Sequence, residues 1–405
     1  MMDVLIIGAG PAGLHAADRL SARGLAVTVV ERMASPARKF LMAGRGGLNL
    51  THSEDLETFL SRYREAEAFL APMIRDFPPC ALREWCHELG QETFVGTSSR
   101  VFPRSMKASP LLRAWLRRLE ANGVNLLTRR RFTGFSGDGH ALLQAEGEEP
   151  APAPARAVLL ALGGASWPKL GSDAAWVNAL ENRGIRISMF QPANCGFLIG
   201  WSPVLKERFA GTPLKRIALS HDQRTVPGEA VISEQGLEGG AVYALSADVR
   251  ESINREGSAR LTIDLRPSLP LEELTRKLSR PRGKQSLSTF LKKTLRLHPV
   301  EQALLREAGP LPVSPGELAA RIKSVKVTCR APYPIGRAIS SAGGIALDEL
   351  DEGLMLRKLP GVFAAGEMLD WEAPTGGYLL QACFAMGQRA ADGISAYLEN
   401  GDSPR

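Results

Sequence analysis

The pattern of hydrophobic positions at the start of the chain predicts a strand, a helix and a second strand. Residues 4–7 are a continuous apolar run, which suits a strand buried on both faces of a sheet. Residues 14–24 follow a helical pattern that ends at Gly24, and residues 26–30 form another apolar run ending at Glu31. This order is typical of a βαβ unit in a parallel sheet.

Similar patterns return much later in the chain. Residues 157–162 predict a buried strand that is followed by Gly163 and Gly164. Residues 361–365 predict another strand, ending in Gly366 and Glu367. A long helix is then predicted from Gly376 and Gly377 to about residue 398, with small residues on one face.

The middle of the chain has a different pattern. Short strand-like runs broken by glycine and proline predict a β-rich module over residues 191–265. Amphipathic segments with Pro or Ser at their starts predict helices within a second module, residues 266–327. They cover residues 269–279, 286–297, 299–309 and 314–324. The Pro/Ala-rich segment 148–157 is predicted to be a surface connection between strands.

We therefore predict an α/β fold with one interrupted Rossmann-like domain. Residues 1–190 form its first part and residues 328–405 its second, and the β-rich and helical modules are inserted between them. An insert of this kind is expected to place substrate at the domain boundary.

Composition narrows the class of protein. The chain has 405 residues, of which 44% are hydrophobic and 23% charged, as in ordinary soluble proteins with several cores. The apolar runs are too short to span a bilayer, and the first strand begins too early for a signal peptide, so we expect a cytoplasmic location and no membrane partner. The 5 cysteines are too scattered for a disulfide framework or a redox pair, and the 6 histidines include no close pair, so we expect no metal site.

The net charge of +7 is unevenly distributed. Lysine and arginine far outnumber acidic residues between positions 266 and 330. Such a segment is either the footprint of an anionic partner such as RNA or a solvated helical face, and the sequence leaves both interpretations open.

The first turn carries the strongest chemical signal. Gly8, Gly10 and Gly13 form GxGxxG between the first strand and the helix. The first glycine permits the tight turn, the second lets a pyrophosphate approach the backbone, and the third lets the helix pack on the strand. Glu31 is placed to accept hydrogen bonds from a ribose. Because this is the single complete motif, we predict one tightly held dinucleotide per chain, and a nicotinamide cofactor would have to visit transiently by another route.

The chain resembles FAD-dependent oxidoreductases of the glutathione-reductase-like class, and in detail the bacterial BaiN/RdsA family. The resemblance is carried by GxGxxG with Glu31, by Gly366-Glu367 and by Gly376-Gly377-Tyr378. It is also carried by Lys39 followed by the glycine-rich segment 43–51, and by segments 101–108 and 263–267. Segment 44–49 reads Gly-Arg-Gly-Gly-Leu-Asn where the family has Gly-Gly-Gly-Arg-Cys-Asn, which indicates a divergent subfamily.

The resemblance implies that FAD lies along these segments, with loop 43–52 against the flavin and the charges of Arg38 and Lys39 near the pyrophosphate. The implied cofactor-binding residues are Gly8, Gly10, Ala12, Gly13, Glu31, Arg32, Arg38, Lys39, Arg45, Gly46, Gly47, Asn49, Phe132, Gly163, Gly164, Gly366, Glu367, Gly376, Gly377, Tyr378 and Leu379. Tyr378 either contacts the flavin or simply packs.

The resemblance also implies hydride exchange between flavin N5 and a C=C or C–N bond of a small-molecule substrate, with NAD(P)H as a candidate electron donor. Glu234 and Lys107 are the candidate general acids or bases, and Arg104 is the candidate for binding a substrate anion. The alternative interpretations are that Glu234 is a solvated turn residue and that Lys107 caps a helix. Two other functions stay open: reduction of uridine to dihydrouridine in ribosomal RNA, and flavin binding without turnover. The oligomeric state has no sequence signature.

Overall fold

A computed structural model describes residues 2–44 and 46–401. The chain forms two compact units: unit 1 comprises Met1–Gln191 and Ile339–Arg405, and unit 2 comprises Pro192–Ala338. The first observed boundary lies one residue beyond the predicted one. The second lies at Ile339 rather than 328, because Val325–Cys329 and Ala331–Pro332 are strands of the unit 2 sheet.

The regular elements are numbered in chain order. Strands β1 to β20 are Met2–Ile7, Val27–Glu31, Thr51–His52, Thr93–Val95, Arg100–Pro103, Asn125–Thr128, Arg130–Phe135, Ala141–Ala145, Ala151–Ala153, Ala155–Leu160, Ile187–Ala193, Phe197–Leu198, Thr212–His221, Arg224–Ile232, Gly236–Glu238, Ala259–Asp264, Val325–Cys329, Ala331–Pro332, Ser340–Ile345 and Val362–Ala364. Helices α1 to α15 are Pro11–Ser21, Arg38–Ala43, Leu56–Ser61, Glu67–Asp76, Pro79–Glu88, Ala108–Ala121, Val177–Glu181, Pro203–Phe209, Gly240–Ala244, Ser246–Glu256, Leu271–Leu278, Leu287–Leu295, Pro299–Glu307, Pro315–Lys323 and Tyr378–Gly401.

The centre of unit 1 is a five-stranded parallel sheet in the order β20-β10-β1-β2-β6. Residues 4–7 of β1 are at most 1% exposed, as expected of a strand covered by helices on both faces. The Rossmann-like fold class is confirmed. All carboxyl ends of a parallel sheet lie on one edge, so the loops after β1, β2, β10 and β20 converge there.

Glycines let helix α1 pack closely on its neighbours: Gly13 lies against the turn after β1, and Gly387 of α15 lies against α1. A Cβ on Gly13 would lie 2.1 Å from the carbonyl oxygen of Gly8, and one on Gly387 would lie 2.5 Å from that of Ala12. The packing role predicted for Gly13 is therefore confirmed. The helix predicted to end near residue 398 continues to Gly401.

Unit 1 also contains two small antiparallel sheets with the strand orders β3-β5-β4 and β7-β8-β9. The segment predicted as a surface connection, 148–157, contains edge strand β9, Ala151–Ala153, which pairs with β8. Its prolines obscured the strand in the sequence, yet an edge strand tolerates proline because one side of it needs no ladder hydrogen bonds.

Unit 2 contains an antiparallel seven-stranded sheet in the order β17-β16-β13-β14-β15-β12-β18. Helices α11 to α14 fall within the four amphipathic segments that predicted them. The β-rich and helical parts, predicted as two modules, share one hydrophobic core in which Leu261 of the sheet and Leu291 of α12 are both fully buried.

Within residues 2–44 and 46–401, no helix combines the length and apolar composition that a bilayer span requires.

Candidate functional site

A cleft of about 990 Å³, measured to its open mouth, lies in unit 1 where the loops after β1, β2, β10 and β20 converge. This is where ligands bind in open parallel sheets. Many of the residues predicted to hold FAD line it: Gly8, Gly10, Ala12, Glu31, Arg32, Arg38, Lys39, Phe132, Gly163, Gly366 and Glu367.

The turn after β1 leaves room for a phosphate group. Gly8 has a φ of +112°, and a Cβ there would lie 2.1 Å from the carbonyl oxygen of Ala161. A Cβ on Gly10, in contrast, would have no described protein atom within 4 Å, so the missing side chain leaves open space in the cleft. No side chain of the described residues caps the α1 N-terminus, and its N–H groups and positive dipole end are available to a pyrophosphate.

Glu31 is held at the end of β2 by backbone hydrogen bonds. The N–H of Ala9 donates to its Oε2 at 3.2 Å, and the N–H of Met33 donates to its Oε1 at 2.8 Å. Burial raises the pKa of the Glu31 carboxyl, although these backbone bonds partly oppose the shift. A carboxylate fixed in this way can accept ribose hydroxyl hydrogen bonds, as the sequence predicted.

Lys39 is the centre of a polar network in the same cleft. Its Nζ lies 2.5 Å from a carboxylate oxygen of Glu367 and donates to Ser166 Oγ at 2.6 Å. The N–H of Ser341 donates to the other oxygen of Glu367 at 3.0 Å. The sequence pointed to Lys39 and Glu367, whereas the two serines have no motif or spacing that would have singled them out.

Cys383 and Trp176 also line the cleft and were not predicted. Burial raises the pKa of the Cys383 thiol to about 12, so it stays protonated at neutral pH. The indole N–H of Trp176 donates to the carbonyl oxygen of Gly163 at 2.9 Å and fixes the loop after β10. These side chains therefore shape the cleft rather than supply charge.

The glycines of loop 43–52 have different surroundings. A Cβ on Gly44 would lie 2.7 Å from the Cβ of Ala108, and one on Gly47, at a φ of +113°, would lie 2.6 Å from Met106 Cε. A Cβ on Gly46 would meet no described atom within 4 Å. Packing against the segment before and within α6 thus accounts for Gly44 and Gly47, while Gly46 leaves space that packing does not use.

Asn49 fixes the end of this loop. Its Nδ2 donates to the carbonyl oxygens of Thr51 at 2.9 Å and Val101 at 3.2 Å. Its Oδ1 is buried and has no hydrogen-bond partner among residues 2–44 and 46–401, so it can still accept a hydrogen bond from a ligand. Arg45 lies outside the described residues. The placement of this loop against the flavin stays a prediction.

The other predicted cofactor-binding residues that the structure describes lie outside the cleft lining, and most have a packing role. They are Gly13, Gly46, Gly47, Asn49, Gly164, Gly376, Gly377, Tyr378 and Leu379. A Cβ on Gly164 would lie 1.9 Å from Ser341 Oγ, and one on Gly377 would lie 2.5 Å from Thr51 Cα. Leu379 packs against the core of unit 1.

Tyr378 occupies the packed position that the sequence left as an alternative. Its ring stacks on His52, with centroids 5.6 Å apart, and also contacts Phe59 at 4.8 Å. Its hydroxyl donates to Glu54 Oε1 at 2.5 Å. Burial is the main cause that raises the pKa of Tyr378, and the bond to Glu54 adds to it.

The three candidate catalytic residues are exposed. Arg104 pairs with Glu92 at 2.7 Å in unit 1, and Lys107 precedes the first residue of α6. Glu234 lies between β14 and β15 of unit 2. These positions match the alternatives of a solvated turn and a helix cap, and the catalytic roles stay predictions.

Part of the basic segment 266–330 is used inside unit 2. Arg266 pairs at 2.6 Å with Glu301, which is buried, and Lys323 pairs with Asp264 at 2.6 Å. The residues between α11 and α12 differ: Arg280, Arg282 and Lys284 are exposed and form no ion pair within the described part of the chain. Lys292, Lys293 and Arg296 are also exposed and form no ion pair with a described residue, so the free positive charge of the segment extends beyond this turn.

Two characterised bacterial proteins align with nearly the whole chain. It is 25% identical over 411 residues to a 3-dehydro-bile acid delta(4,6)-reductase of Clostridium scindens, covering 96% of this chain and 98% of that protein. It is 24% identical over 420 residues to the ribosomal RNA dihydrouridine synthase of Escherichia coli K12, covering 97% and 98%.

A solved structure shares the fold. The 3-ketosteroid delta1-dehydrogenase of Sterolibacterium denitrificans superposes with a TM-score of 0.54 at 14% identity, covering 98% of this chain and 99% of that one. The predicted resemblance to the BaiN/RdsA family is confirmed. The chain belongs to the family described as HI0933-like protein Rossmann domain, whose model matches residues 2–393.

Proposed function

We propose that this protein is an FAD-dependent oxidoreductase that exchanges hydride between N5 of the flavin and a C=C or C–N bond of a small molecule. The observation that carries the proposal is the cleft of unit 1 where the loops after β1, β2, β10 and β20 converge, which we call the dinucleotide cleft. There, Gly10 leaves open space before an uncapped helix N-terminus, and Glu31 is fixed beside it at the end of β2. A bound FAD would supply the hydride chemistry.

The cleft residues have separate tasks in this proposal. The N–H groups at the start of α1 and the Arg38 charge bind the pyrophosphate. The Glu31 carboxylate accepts hydrogen bonds from the ribose of the adenosine. Lys39 and Glu367 form a polar site further along the cleft and orient the remaining hydroxyl groups of the cofactor.

The name of one relative supports a C=C bond as the reacting bond. That relative is called a delta(4,6)-reductase of a 3-dehydro-bile acid, and a C=C bond conjugated with a carbonyl accepts hydride readily. Reduction also needs a proton at the neighbouring carbon. Glu234 and Lys107 stay our candidates for that proton, and Arg104 for an anionic group of the substrate.

An anaerobic titration with NADH and NADPH tests the proposal. Loss of the flavin's visible band, followed by its return when an enone is added, is the expected result. If the band persists with both nicotinamides, amines should be tested as direct reductants, since a C–N bond would then be oxidised. A flavin that no reductant bleaches would contradict the proposal and favour a protein that binds FAD without turnover.

A second candidate function is reduction of uridine in ribosomal RNA. It is supported by the name of the second relative and by the exposed, unpaired charges of Arg280, Arg282 and Lys284. RNA contacts made through phosphates weaken steeply as salt rises. A gel shift with ribosomal RNA fragments at two salt concentrations tests it, and absence of binding at low salt would exclude it.

A further inference from the structure

A second pocket of unit 1, which we call the arginine pocket, lies beside the dinucleotide cleft. It has a volume of about 1090 Å³ measured to its open mouth, and Arg32, Arg38, Arg129 and Arg131 line it. Glu146 is the one carboxylate among its described lining residues. We propose that the arginine pocket binds a phosphate-bearing ligand other than FAD.

The local fold brings these arginines together. Arg32 follows β2, and Arg129 lies between β6 and β7, where its N–H donates to the carbonyl oxygen of Met33 at 3.2 Å. This bond holds the two segments side by side. Arg131 pairs in register with Gln144 of β8, so the turn at Glu146 forms another wall of the pocket.

The positive charge of the pocket is largely uncompensated. Arg32 is the exception, because it pairs with Asp173 at 2.8 Å. For Arg38, Arg129 and Arg131, residues 2–44 and 46–401 offer no ion pair. Under the proposed function the charge of Arg38 serves the FAD pyrophosphate, so Arg129 and Arg131 carry the free charge of the pocket in the FAD-loaded protein. Like charges that line one pocket repel one another, so an anion that enters the pocket removes an unfavourable interaction as well as forming new bonds.

Backbone strain coincides with this charge. Arg129 has a φ of +56°, in the left-handed region where a residue other than glycine is disfavoured. A long cationic side chain at such a position gains nothing from packing, because Arg129 is exposed. Arg216 and Arg296 have similar φ values, so the strain at Arg129 does not by itself indicate a ligand.

The chemistry of arginine indicates the class of ligand. Each guanidinium is planar and can donate hydrogen bonds to two phosphate oxygens at once. Several guanidinium groups around one pocket therefore suit a pyrophosphate or successive phosphodiesters. The phosphate can belong to a free nucleotide or to a nucleic acid strand. Both present the same oxygens to the pocket.

The arginine pocket shares Arg32, Arg38 and Arg131 with the lining of the FAD cleft, and the neighbouring Arg129 and Arg130 distinguish the two sites. Arg129 lines the arginine pocket but not the cleft, and Arg130 lines the cleft but not the arginine pocket. Substitution of each in turn therefore gives a matched pair of variants. The proposal does not depend on turnover, because its test measures binding.

The experiment titrates FAD-loaded protein with inorganic pyrophosphate by calorimetry at low salt, and the visible absorbance of the same sample reports FAD content. We expect saturable binding to the unsubstituted protein, weakened at least tenfold by Arg129→Ala and less by Arg129→Lys. Arg130→Ala should leave pyrophosphate binding unchanged. If Arg129→Ala lowers the folded fraction in far-UV circular dichroism, Arg129→Gln replaces it.

A second arm uses a labelled single-stranded oligouridine. Tight binding would identify nucleic acid as the source of the phosphate, even if pyrophosphate binds weakly. The slope of log affinity against log salt concentration should then be smaller by about one unit in Arg129→Ala. Absence of binding in both arms would overturn the proposal. The proposal would also be overturned if Arg129→Ala and Arg130→Ala weaken pyrophosphate binding equally, or if excess FAD displaces pyrophosphate. Either result would assign the anion to the dinucleotide cleft.

Discussion

Lys39 and Glu367 form an ion pair of 2.5 Å although 328 positions separate them in the chain. Both side chains line the dinucleotide cleft, and their exposed fractions are 27% and 12%. The pair joins the segment after β2 to the loop after β20. A polar site assembled from both parts of an interrupted domain exists only when the two parts are folded together.

Lys39→Met should weaken FAD binding by tenfold to a hundredfold, or about 1.4 to 2.8 kcal/mol, because it removes a cleft cation and leaves Glu367 unpaired. Titration of apoprotein with FAD, followed by flavin fluorescence, measures the change. Arg75→Met is the control, since it breaks an exposed pair with Glu57 at 2.7 Å. Equal affinities for Lys39→Met and the unsubstituted protein would show that Lys39 does not contact the cofactor.

Glu31→Gln should weaken both the folded apoprotein and its affinity for FAD. Burial raises the pKa of the Glu31 carboxyl, so the neutral amide removes the cost of a buried charge. Both carboxylate oxygens, however, accept backbone N–H bonds, whereas an amide has one acceptor oxygen, so its NH2 group would face the N–H of Ala9 or Met33 and leave that donor unsatisfied, at a cost of about 1 to 3 kcal/mol. The melting temperature of the apoprotein at pH 7 should therefore fall, and FAD binding should weaken about tenfold, because an amide is a poorer acceptor for ribose hydroxyls. An unchanged melting temperature together with unchanged affinity would contradict both arguments.

His15 should make the protein sensitive to acid. The ring is fully buried against Phe77 and Phe384, and neither nitrogen has a hydrogen-bond partner among the described residues. Burial lowers the pKa of His15 to about 3. Between about pH 6.5 and pH 3 the unfolded chain binds a proton that the folded chain does not, so stability falls by about 1.4 kcal/mol per pH unit.

His15→Leu should remove this loss. Urea denaturation at pH 7 and pH 4.5 should show a smaller difference in unfolding free energy for His15→Leu than for the unsubstituted protein. His140→Leu changes an exposed ring and is the control. The same pH dependence in all three proteins would show that His15 is not the group responsible.

Gly377→Ala and Gly46→Ala should separate packing from cofactor contact. At Gly377, with a φ of +98°, a Cβ would lie 2.5 Å from Thr51 Cα, so the substitution should destabilise the protein by about 2 to 4 kcal/mol. At Gly46 a Cβ meets no described atom within 4 Å, and stability should change little. If loop 43–52 lies against the flavin, Gly46→Ala should weaken FAD binding; unaltered affinity would place the flavin elsewhere.

The sequence predicted β1, β2, β10 and β20 of the unit 1 sheet well because these strands are largely buried and read as continuous apolar runs. Edge strand β6 alternates between exposed and half-buried residues and has no such run. It also predicted α11 to α14, since each has one apolar face and a recognisable start. The boundary at 339 was not predictable from local pattern. Strand β17 looks like any short strand, and only its pairing with β16 assigns it to unit 2.

The sequence points to site residues where one residue type serves a backbone function, and it cannot reveal contacts that depend on the fold. Gly8, Gly10 and Glu31 follow from the geometry of a βαβ turn. Ser166 and Ser341 come close to Lys39 and Glu367 only in the folded protein, so no spacing reveals them. Tyr378 follows two glycines that suggest a ligand, yet its ring is enclosed by His52 and Phe59.

The most direct test of the central claim is FAD binding followed by anaerobic reduction in the same sample. Protein loaded with FAD and freed of excess cofactor should keep one flavin per chain, and NADH, NADPH or an amine should bleach its visible band. Reoxidation by an enone or by uridine-containing RNA would then identify the acceptor class. A folded protein that retains no FAD would contradict the proposal that this protein is an FAD-dependent oxidoreductase.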